Sequence, residues 1–388
     1  MTVSLIPFWQ PRGLKIARAE GQYVWDVEGR RYLDFHTGHG VALLGHRNPR
    51  IVNALKEQMD KLMVATPAFN TEAMDKCLIT LSKILPKHLN TVFFQNSGAE
   101  AVELALKIAV RTTKRKKILA FINSFHGRTM GALSVTWNPK YREGYGPFPW
   151  EVNFIPYNNG EAVDKALSEE YAAVIVEPVQ GEGGLAVASG DFLKALQKRS
   201  NETGALLIMD EVQAGFGRTG RVWAHEKADV KPDILVAGKS VAGGFPASYV
   251  AARQEIADKL SEGIHGSTHG GNPLAAAAIA AGVETLLSES IPEKAAERGG
   301  ELHKVLQSIV EENNNVFRGV RGEGLMQGLE MRHSPSQLIK ILQRNGLITL
   351  KSGLTILRFL PPYLITKEDL SSAREIIEES LVKIKKDR

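Results

Sequence analysis

The chain has 388 residues, of which 43% are hydrophobic and 23% are charged, as expected for a globular protein with more than one domain. No apolar run approaches the ~18 residues of a membrane helix. The N-terminus shows no basic region followed by a long apolar stretch, so we expect neither a membrane span nor a secretory signal. The single cysteine, Cys77, excludes an intrachain disulfide and favours a reducing, cytoplasmic location.

The net charge of +5 is compatible with nucleic acid as a partner. However, neither a zinc-finger spacing nor an aromatic RNA-binding motif accompanies it, so we expect neither a nucleic-acid partner nor a metal. Basic residues cluster at residues 114–117 and near the C-terminus, at Lys383, Lys385, Lys386 and Arg388. Two interpretations stay open: solvated ends of structural elements, or a surface that attracts an acidic partner.

Residues 21–35 alternate between polar and apolar side chains, which predicts a β-hairpin that packs with the C-terminal domain, with Glu28-Gly29 as its turn. Short apolar runs bounded by glycine or polar residues follow, at residues 92–94, 118–122, 172–176, 205–209 and 234–237. Their alternation with helical patterns predicts a mainly parallel sheet buried on both faces. Ligands bind beyond the carboxyl ends of the strands in such sheets.

From about residue 270 the pattern changes to long amphipathic helices with short strand candidates between them. The helices are predicted at residues 293–313, 334–344 and 367–383, and the strands at residues 325–331, 347–350 and 355–359. We therefore expect an α/β fold with a large domain at residues 46–269 and a smaller α+β domain at residues 270–388, which the N-terminal segment 1–45 joins.

Residues 96–100 form the first polar group after a predicted strand, and they lead into a strong helix. Gly98 permits close approach of the backbone, and the free amides of the first helical turn can bind an anion such as a phosphate. The alternative is an ordinary N-cap by Ser97. The two interpretations have equal weight when this segment is considered alone.

Four more candidates follow predicted strands. Phe125 could stack on a flat ring and Arg128 could bind a carboxylate, or they could be a core phenylalanine and a surface arginine. Asp210 follows a buried run and needs a partner there, for which a protonated pyridine nitrogen or a helix cap is suitable. Lys239 has apolar neighbours that would lower its pKa and make its amine nucleophilic, although most lysines are merely solvated.

Six motifs carry a resemblance to a known family. In chain order they are Asn96-Ser97-Gly98-Ala99-Glu100-Ala101, Phe125-His126-Gly127-Arg128-Thr129, the segment 177–184 (EPVQGEGG), Asp210-Glu211-Val212-Gln213, Gly238-Lys239 and Gly270-Gly271-Asn272-Pro273-Leu274. This order closely resembles class-III aminotransferases, the acetylornithine, ornithine and GABA group of fold type I. The resemblance runs from about residue 21 to residue 362, which is nearly the whole chain.

The resemblance implies a site for pyridoxal 5'-phosphate. Lys239 would hold the cofactor through its amine and shuttle the proton, and Asp210 would pair with the pyridine nitrogen. The other contacts that it implies are Gln213 at the ring hydroxyl, Val212 and Phe125 on the ring faces, Ser97, Gly98 and Ala99 at the phosphate, Glu211 beside Asp210, and Thr268 of the partner subunit at the phosphate.

The resemblance also implies how substrates bind. Arg358 would take the α-carboxylate of glutamate, and Glu182 would pair with that arginine between half-reactions. Arg128 and Ser267 match contacts to the acyl-side portion of the amino-group donor. Because active sites of this family lie at a dimer interface, a homodimer or a dimer of dimers is expected.

Residues 38–46, which include His39, look more like an archaeal subgroup that acts in lysine and arginine synthesis. In that subgroup a small acidic carrier protein of the LysW type holds the substrate, and an excess of positive charge would favour such a partner. We expect ping-pong transfer from glutamate, released as 2-oxoglutarate, to a semialdehyde. The alternatives are an acetylornithine aminotransferase acting on free substrate, a lyase or aminomutase on the same scaffold, and a binding protein that has lost catalysis.

Overall fold

The computed structural model describes residues 3–8, 11–66 and 68–386, with side chains up to residue 383. Of the C-terminal basic cluster, Lys383 donates a hydrogen bond to Oδ1 of Asn345 at 2.9 Å. The side chains of Lys385 and Lys386, and all of Arg388, lie outside the described residues.

Strands and helices alternate along much of the chain. The strands are β1 (Ile16–Glu20), β2 (Tyr23–Asp26), β3 (Arg31–Asp34), β4 (Thr91–Gln95), β5 (Lys117–Phe121), β6 (Glu151–Ile155), β7 (Tyr171–Val176), β8 (Val179–Gln180), β9 (Ala186–Val187), β10 (Leu206–Asp210), β11 (Ile234–Ala237), β12 (Ser248–Ala252), β13 (Phe317–Glu323), β14 (Met326–Met331), β15 (Leu347–Ile348), β16 (Leu350–Ser352) and β17 (Ile356–Phe359). The helices are the single turn α1 (Thr37–Gly40), α2 (Pro49–Lys61), α3 (Glu72–Leu81), α4 (Gly98–Thr113), α5 (Met130–Ser134), α6 (Pro139–Arg142), α7 (Gly160–Ala166), α8 (Gly190–Thr203), α9 (Gln254–Ala257), α10 (Pro273–Ser288), α11 (Ile291–Glu312), α12 (Ser336–Asn345) and α13 (Lys367–Lys386).

A seven-stranded sheet in the order β4-β12-β11-β10-β7-β5-β6 forms the centre of the protein. The strands from β11 to β6 run parallel, whereas β12 is antiparallel to both of its neighbours. The expectation of a mainly parallel sheet is therefore confirmed. Asp210 on β10 lies opposite Val236 on β11, so the carboxyl ends of these two strands are level.

The five apolar runs are all strands, but the sheet has two more strands that they did not predict. At the edge of the sheet, β6 has partly exposed side chains, so it lacks a continuous apolar run. In contrast, β12 is buried at every position, but it begins with Ser248 and ends in two alanines, which give a weak strand signal. By comparison, β7 is buried along its whole length and follows the pattern of a central parallel strand.

Helices cover the sheet through their apolar faces. Ser97 and Glu100 form a reciprocal capping box at the start of α4, which buries Ala101, Leu104, Ala105 and Ile108. The alanine-rich helix α10 is buried almost all round and packs against α2, α3 and the turn after Lys239. Small alanine side chains allow these helices to approach closely.

Two smaller sheets have the orders β1-β2-β3-β15 and β13-β14-β17-β16. The predicted hairpin is confirmed, and Oδ1 of Asp26 accepts the amides of Glu28 and Arg30 in its turn. The parallel pairing of β3 with β15 confirms that this hairpin packs with the C-terminal part of the chain. The prediction of one strand at residues 347–350 is wrong, because the chain changes sheets at the buried Thr349. The domain boundaries at residues 45/46 and 269/270 stay a prediction.

Within the described ranges, no single helix is both long and apolar enough to cross a membrane. One bent pair, α10 with α11 at an angle of 64°, meets that requirement of length and composition jointly.

Candidate active site

Asp210 and Lys239 lie at the ends of the adjacent parallel strands β10 and β11. Lys239 begins a short 3₁₀ turn and has a left-handed φ of 51°, a conformation that costs free energy in a residue other than glycine. Burial lowers the pKa of the Lys239 amine to about 8, although the negative charges of Glu182, Asp210 and Glu177 act in the opposite direction. A much larger share of this amine is therefore uncharged near neutral pH than in an exposed lysine.

The carboxylate of Asp210 has two partners. Its Oδ2 lies 2.7 Å from Nδ1 of His126, and its Oδ1 accepts the amide of Val212 at 3.1 Å. Both side chains of the Asp210–His126 pair are buried, and Nε2 of His126 has no hydrogen-bond partner among the described residues. His126 was absent from our sequence-based site, although it stands beside Phe125 after a predicted strand.

Glu177 is a second residue that the sequence analysis did not assign to the site. Its Oε1 accepts the amide of Phe125 at 2.9 Å, and its Oε2 accepts the amide of Gly181 at 3.1 Å. Burial raises the pKa of Glu177 to about 7, with the negative charge of Asp210 adding to the effect and the His126 charge opposing it. This carboxyl group joins the loops that follow β5 and β7.

The N-terminus of α4 faces the loop after β10 at very short range. A Cβ on Gly98 would lie 2.7 Å from Cγ1 of Val212, and a Cβ on Gly127 would lie 2.6 Å from Cβ of Ala99. Ser97 caps the helix, since its Oγ accepts the amide of Glu100 at 3.3 Å. The capping interpretation is thus confirmed for Ser97, and the amides of the helix's first turn remain suitable for an anion.

Arg358 and Glu182 form the expected ion pair, with Nη2 of Arg358 2.7 Å from Oε1 of Glu182. The arginine is fully buried on β17, and its Nη1 also donates to the carbonyl of Gly181 at 2.6 Å and to Oε1 of Gln213 at 3.1 Å. Burial alone would raise the pKa of Glu182, but the charge and hydrogen bond of Arg358 and the charge of Lys239 hold it below its usual value. Glu182 is therefore a carboxylate at neutral pH.

A left-handed turn lies beside these charges. Thr37, Gly38, His39 and Gly40 have φ values of 44°, 62°, 60° and 87°. The His39 ring centroid is 4.5 Å from that of His36. Burial is the main cause that lowers the pKa of His39 to about 4, and the charges of His36, Arg358 and Lys239 contribute, so His39 is neutral at physiological pH.

Four other predicted site residues contribute differently or lie apart. The carboxylate of Glu211 accepts the amides of Ala224 and His225 and lies 2.7 Å from Nδ1 of His225, so its oxygens are bound within the protein and its role at the cofactor stays a prediction. Oγ of Ser267 accepts the amide of Gly270 at 2.9 Å, and Thr268 is exposed. The exposed Arg128 stacks over the ring of Phe125, with its guanidinium carbon 5.1 Å from the ring centroid.

The basic cluster at residues 114–117 lies at the opposite edge of the sheet. Lys117 begins β5 and pairs with Glu151 at 3.4 Å and with Glu170 at 2.8 Å, and Nη1 of Arg115 donates to two main-chain carbonyls. These contacts favour the interpretation that this cluster is the solvated end of a structural element and not a surface for an acidic partner. No set of three His, Cys, Asp or Glu side chains in the described part of the chain is arranged to hold a metal ion.

The sequence matches the model of the aminotransferase class-III family over residues 9–381. The chain is a class-III aminotransferase. It is 49% identical over 382 residues to a LysW-aminoadipate semialdehyde/glutamate semialdehyde transaminase of Sulfolobus acidocaldarius, covering 98% of both chains. It is 44% identical over 365 residues to an acetylornithine aminotransferase of Methanopyrus kandleri, covering 93% of this chain and 92% of the relative.

A solved ornithine aminotransferase of Toxoplasma gondii, with partial occupancy of PLP at its active site, has a TM-score of 0.93 to this aminotransferase at 31% identity. The alignment covers 98% of this chain and 92% of that chain. The residues of the site fit such a group. The aminotransferase offers a lysine of lowered pKa, a buried carboxylate for a cationic ring nitrogen, and a glycine-lined helix N-terminus for a phosphate.

Proposed function

We propose that this aminotransferase uses pyridoxal 5'-phosphate to move an amino group from glutamate to the terminal carbon of a semialdehyde in lysine or arginine biosynthesis. One observation carries the proposal. Lys239 and Asp210 lie at level strand ends beside Arg358, a buried cation for a carboxylate, and Glu182, an anion that can replace that carboxylate. The names of the two relatives support the substrate class.

The cofactor, when bound, supplies an electron-withdrawing ring that carries the amino group between the two substrates. Asp210, held by His126, would keep the ring nitrogen protonated. Val212 and Phe125 would lie on the two faces of the ring. The first turn of α4, at Gly98, would bind the phosphate through its amides.

The other side chains would bind the substrates and move the proton. Lys239 would carry a proton between its Nζ and the reacting carbon, for which a pKa near neutrality is favourable. Arg358 would bind the α-carboxylate of glutamate with its planar fork. When 2-oxoglutarate leaves, Glu182 would again neutralise Arg358 for the semialdehyde. Gln213, which accepts from Arg358, would reach the ring hydroxyl.

The variant Lys239→Ala tests this assignment. We expect it to bind the cofactor without forming the absorption band of the covalently held form, and to transfer no amino group from glutamate. The matched control is Lys198→Ala, since Lys198 is an exposed lysine on α8 with 77% of its side chain accessible. Full activity of Lys239→Ala would contradict the proposal. An aminomutase would turn over without a keto acid, so a requirement for 2-oxoglutarate in the reverse direction separates the two activities.

We further propose that the semialdehyde is held on a small acidic carrier protein, as the name of the Sulfolobus acidocaldarius relative implies for that enzyme. The net charge of +5 supports such a partner. Arg128 also supports it, because it is an exposed positive charge in the loop after β5, the loop that also carries Phe125. The second candidate is an acetylornithine aminotransferase that acts on free substrate, and the Methanopyrus kandleri relative favours it.

The specificity constants for carrier-bound and free acetylated substrate, measured across a series of ionic strengths, distinguish the two candidates. Basic residues should accelerate the encounter with an acidic protein, and salt should screen that effect. We expect a higher constant and a steeper salt dependence for the carrier-bound substrate. Equal salt dependences, or a higher constant for free acetylornithine, would favour the second candidate.

We also propose a homodimer in which Thr268 of each subunit reaches the phosphate of the other. The surface supports it, since Val64, Phe69 and Ile79 are 71%, 71% and 64% exposed. A cavity of about 210 Å³ with mainly apolar walls lies at this surface, and Phe69, Leu78 and Gly271 are among the residues that line it. Large exposed apolar patches mark protein–protein interaction sites, and we infer that these side chains belong to one.

Co-expressed hybrids of Thr268→Ala and Lys239→Ala subunits test the shared site. If Thr268 acts across the interface, the hybrid contains one site with both residues intact, and its cofactor affinity and activity exceed those of either parent. If Thr268 acts within its own subunit, the hybrid has no intact site and no gain is observed. Light scattering of the wild type gives the number of subunits independently.

A further inference from the structure

Arg218 is a fully buried arginine with an unusual set of partners. Its Nη1 donates to the carbonyls of Leu325 at 3.1 Å and Pro361 at 2.5 Å, and its Nη2 donates to the carbonyl of Gly40 at 2.9 Å. No ion pair with a carboxylate neutralises it among the described residues, and burial lowers the pKa of its guanidinium to about 9. Its Nε has no partner in the same set of residues.

Two of these carbonyls belong to segments that carry groups of the active site. Gly40 ends the left-handed turn that contains His39. Pro361 is three positions after Arg358 and two positions beyond the end of β17. The guanidinium is thus bonded to the left-handed turn, 178 positions away in the chain, and to the segment after Arg358, 143 positions away.

The carbonyl of Gly40 has a second donor, which connects it to Lys239. Oγ of Ser240, the residue next to Lys239, donates to this carbonyl at 3.0 Å across 200 positions. A single oxygen atom is therefore bound by Arg218 and by the turn that carries the lysine. Movement of Arg218 would change the distance between that turn and β17.

The left-handed turn needs such support. Left-handed backbone costs free energy in residues other than glycine, and Thr37 and His39 both adopt it. Oδ1 of Asp34 accepts the amides of His36 and Thr37 at 2.9 Å, and Oγ1 of Thr37 donates to the carbonyl of Leu360 at 2.6 Å. Strained backbone persists where several contacts fix it, and such places are common at functional sites.

We propose that Arg218 is a positioning residue, which fixes the left-handed turn and the strand end of Arg358 relative to Lys239. An apolar side chain of similar volume would avoid the cost of an unpaired buried charge, so stability alone does not explain an arginine at this position. The planar fork of a guanidinium can bind three carbonyls in fixed directions, which neither a lysine nor a methionine can do. Among the described residues, Arg218 forms no hydrogen bond with the side chain of Lys239 or Arg358, and its hydrogen bonds all go to main-chain carbonyls.

The functional consequence rests on the proposed role of Arg358 in binding glutamate. When the left-handed turn and the strand end of Arg358 are no longer held together, the site should bind the α-carboxylate less well, so KM for glutamate should rise. A misplacement of ~1 Å can cost a factor of ~100. Water should also reach Lys239 more easily, so the pKa of its amine should rise. Neither effect requires a large loss of stability.

The variant Arg218→Met tests the proposal, with Arg115→Met as the matched control. Arg115 also donates to two main-chain carbonyls, those of Tyr171 and Thr203, but at the amino end of β7, away from the site. We expect Arg218→Met to lower kcat/KM for glutamate by about 10- to 100-fold, mostly through KM. We expect Arg115→Met to leave both constants unchanged.

A second measurement does not depend on turnover. The rate at which cofactor-free protein takes up pyridoxal phosphate should follow the ionisation of Lys239, and its pH midpoint should move upward in Arg218→Met but not in Arg115→Met. Thermal unfolding of all variants gives stability separately. If Arg218→Met only lowers the unfolding temperature, with KM and the pH midpoint unchanged, the residue is merely structural and the proposal is overturned.

Two further variants keep the test decisive if Arg218→Met does not fold. Ser240→Ala removes the second donor to the carbonyl of Gly40, and it should change KM for glutamate and the pH midpoint in the same direction, by a smaller factor. Arg218→Lys keeps the charge without the fork and should restore little of the lost kcat/KM. Wild-type KM and pH midpoint in both variants would refute the proposal. Absence of glutamate turnover in the wild type would instead refute the proposed function and leave the pH measurement valid.

Discussion

On the proposed cofactor side of the site, Asp210 and Lys239 lie at the ends of two adjacent strands that are paired residue by residue. On the substrate side, Arg358 reaches Glu182 across 176 positions of the chain. The first arrangement follows from the sheet itself, because parallel strands bring their carboxyl ends to one edge. The second depends on the docking of separate segments onto that edge.

The two sides also differ in the partners that neutralise their buried charges. Asp210 has a histidine and an amide as partners, so its carboxylate is fixed by the large sheet and its loops. Arg358 has a carboxylate partner whose side chain is still 32% exposed, so one of its ligands can be replaced. In the proposed mechanism the cofactor side is therefore a fixed scaffold, and the substrate side is an ion pair that the substrate can exchange.

Asp210→Asn should have the largest effect, because it removes the charge that would stabilise a cationic ring nitrogen. We expect kcat to fall by about 10²- to 10³-fold, the range for loss of one preorganised electrostatic contact. The cofactor should remain covalently held, since Lys239 is intact. Single-turnover reaction with glutamate, followed by cofactor absorption, measures the effect.

Asp233→Asn is the matched control for that experiment. Asp233 is a buried carboxylate that precedes β11, at the end of the strand opposite the site, and it accepts the amide of Leu207 at 2.8 Å. We expect this variant to lose stability but to keep its kcat for each folded molecule. An Asp210→Asn enzyme with wild-type kcat would show that the charge at the strand end is not used.

Arg358→Lys should have the next largest effect and should act on KM rather than kcat. Lysine keeps the charge but loses the fork that binds Gly181, Gln213 and Glu182 together. A hydrogen bond to a charged group is worth ~1.5–3 kcal/mol, so KM for glutamate should rise by about 10- to 100-fold. Steady-state kinetics with varied glutamate measures it, and an unchanged KM would exclude Arg358 as the carboxylate ligand.

The comparison explains how much of the site could be predicted from the sequence. Asp210 and Lys239 follow continuous apolar runs, and buried parallel strands are recognisable because every side chain in them is apolar. The left-handed turn was not predicted, because it begins at Thr37, and a β-branched residue rarely adopts positive φ. It exists through contacts with residues such as Leu360, which are far away in sequence.

The fold shows the same limit. The order β4-β12-β11 places an antiparallel strand within the sheet, and no local pattern in residues 248–252 indicates that pairing. Residues 347–350 were predicted as one strand but belong to two sheets. Their local pattern does not indicate this division, because their residues are apolar enough for either sheet. The Arg358–Glu182 pair was expected only from the resemblance to a family, because nothing local connects the two residues.

The pH dependence of cofactor uptake tests the cofactor side without any substrate. Because the pKa of Lys239 is lowered to about 8, the uncharged fraction of its amine should rise about tenfold between pH 7 and pH 9 and then level off. An ordinary lysine, with a pKa of 10.5, would continue to gain reactivity throughout this range. Stopped-flow absorbance with cofactor-free protein measures the rate. A rate still rising steeply above pH 9 would contradict the lowered pKa.

Glu182→Gln should have the smallest effect and tests the exchangeable ion pair directly. The amide can still accept from Arg358 but carries no charge, so glutamate no longer competes with a carboxylate for the arginine. The semialdehyde reacts through its aldehyde end, and we expect it to need a neutralised Arg358, so its half-reaction should slow. An ion pair with one partly exposed partner is worth ~1 kcal/mol, and the ratio of the two specificity constants should therefore shift by about fivefold in favour of glutamate. Separate single-turnover measurements of the two half-reactions give this ratio.

Glu330→Gln is a suitable control, because Glu330 pairs with Arg321 on the small sheet, away from Lys239, and both constants should stay the same. An equal loss in both half-reactions of Glu182→Gln would mean that Glu182 only supports the position of Arg358 and is not exchanged during the reaction.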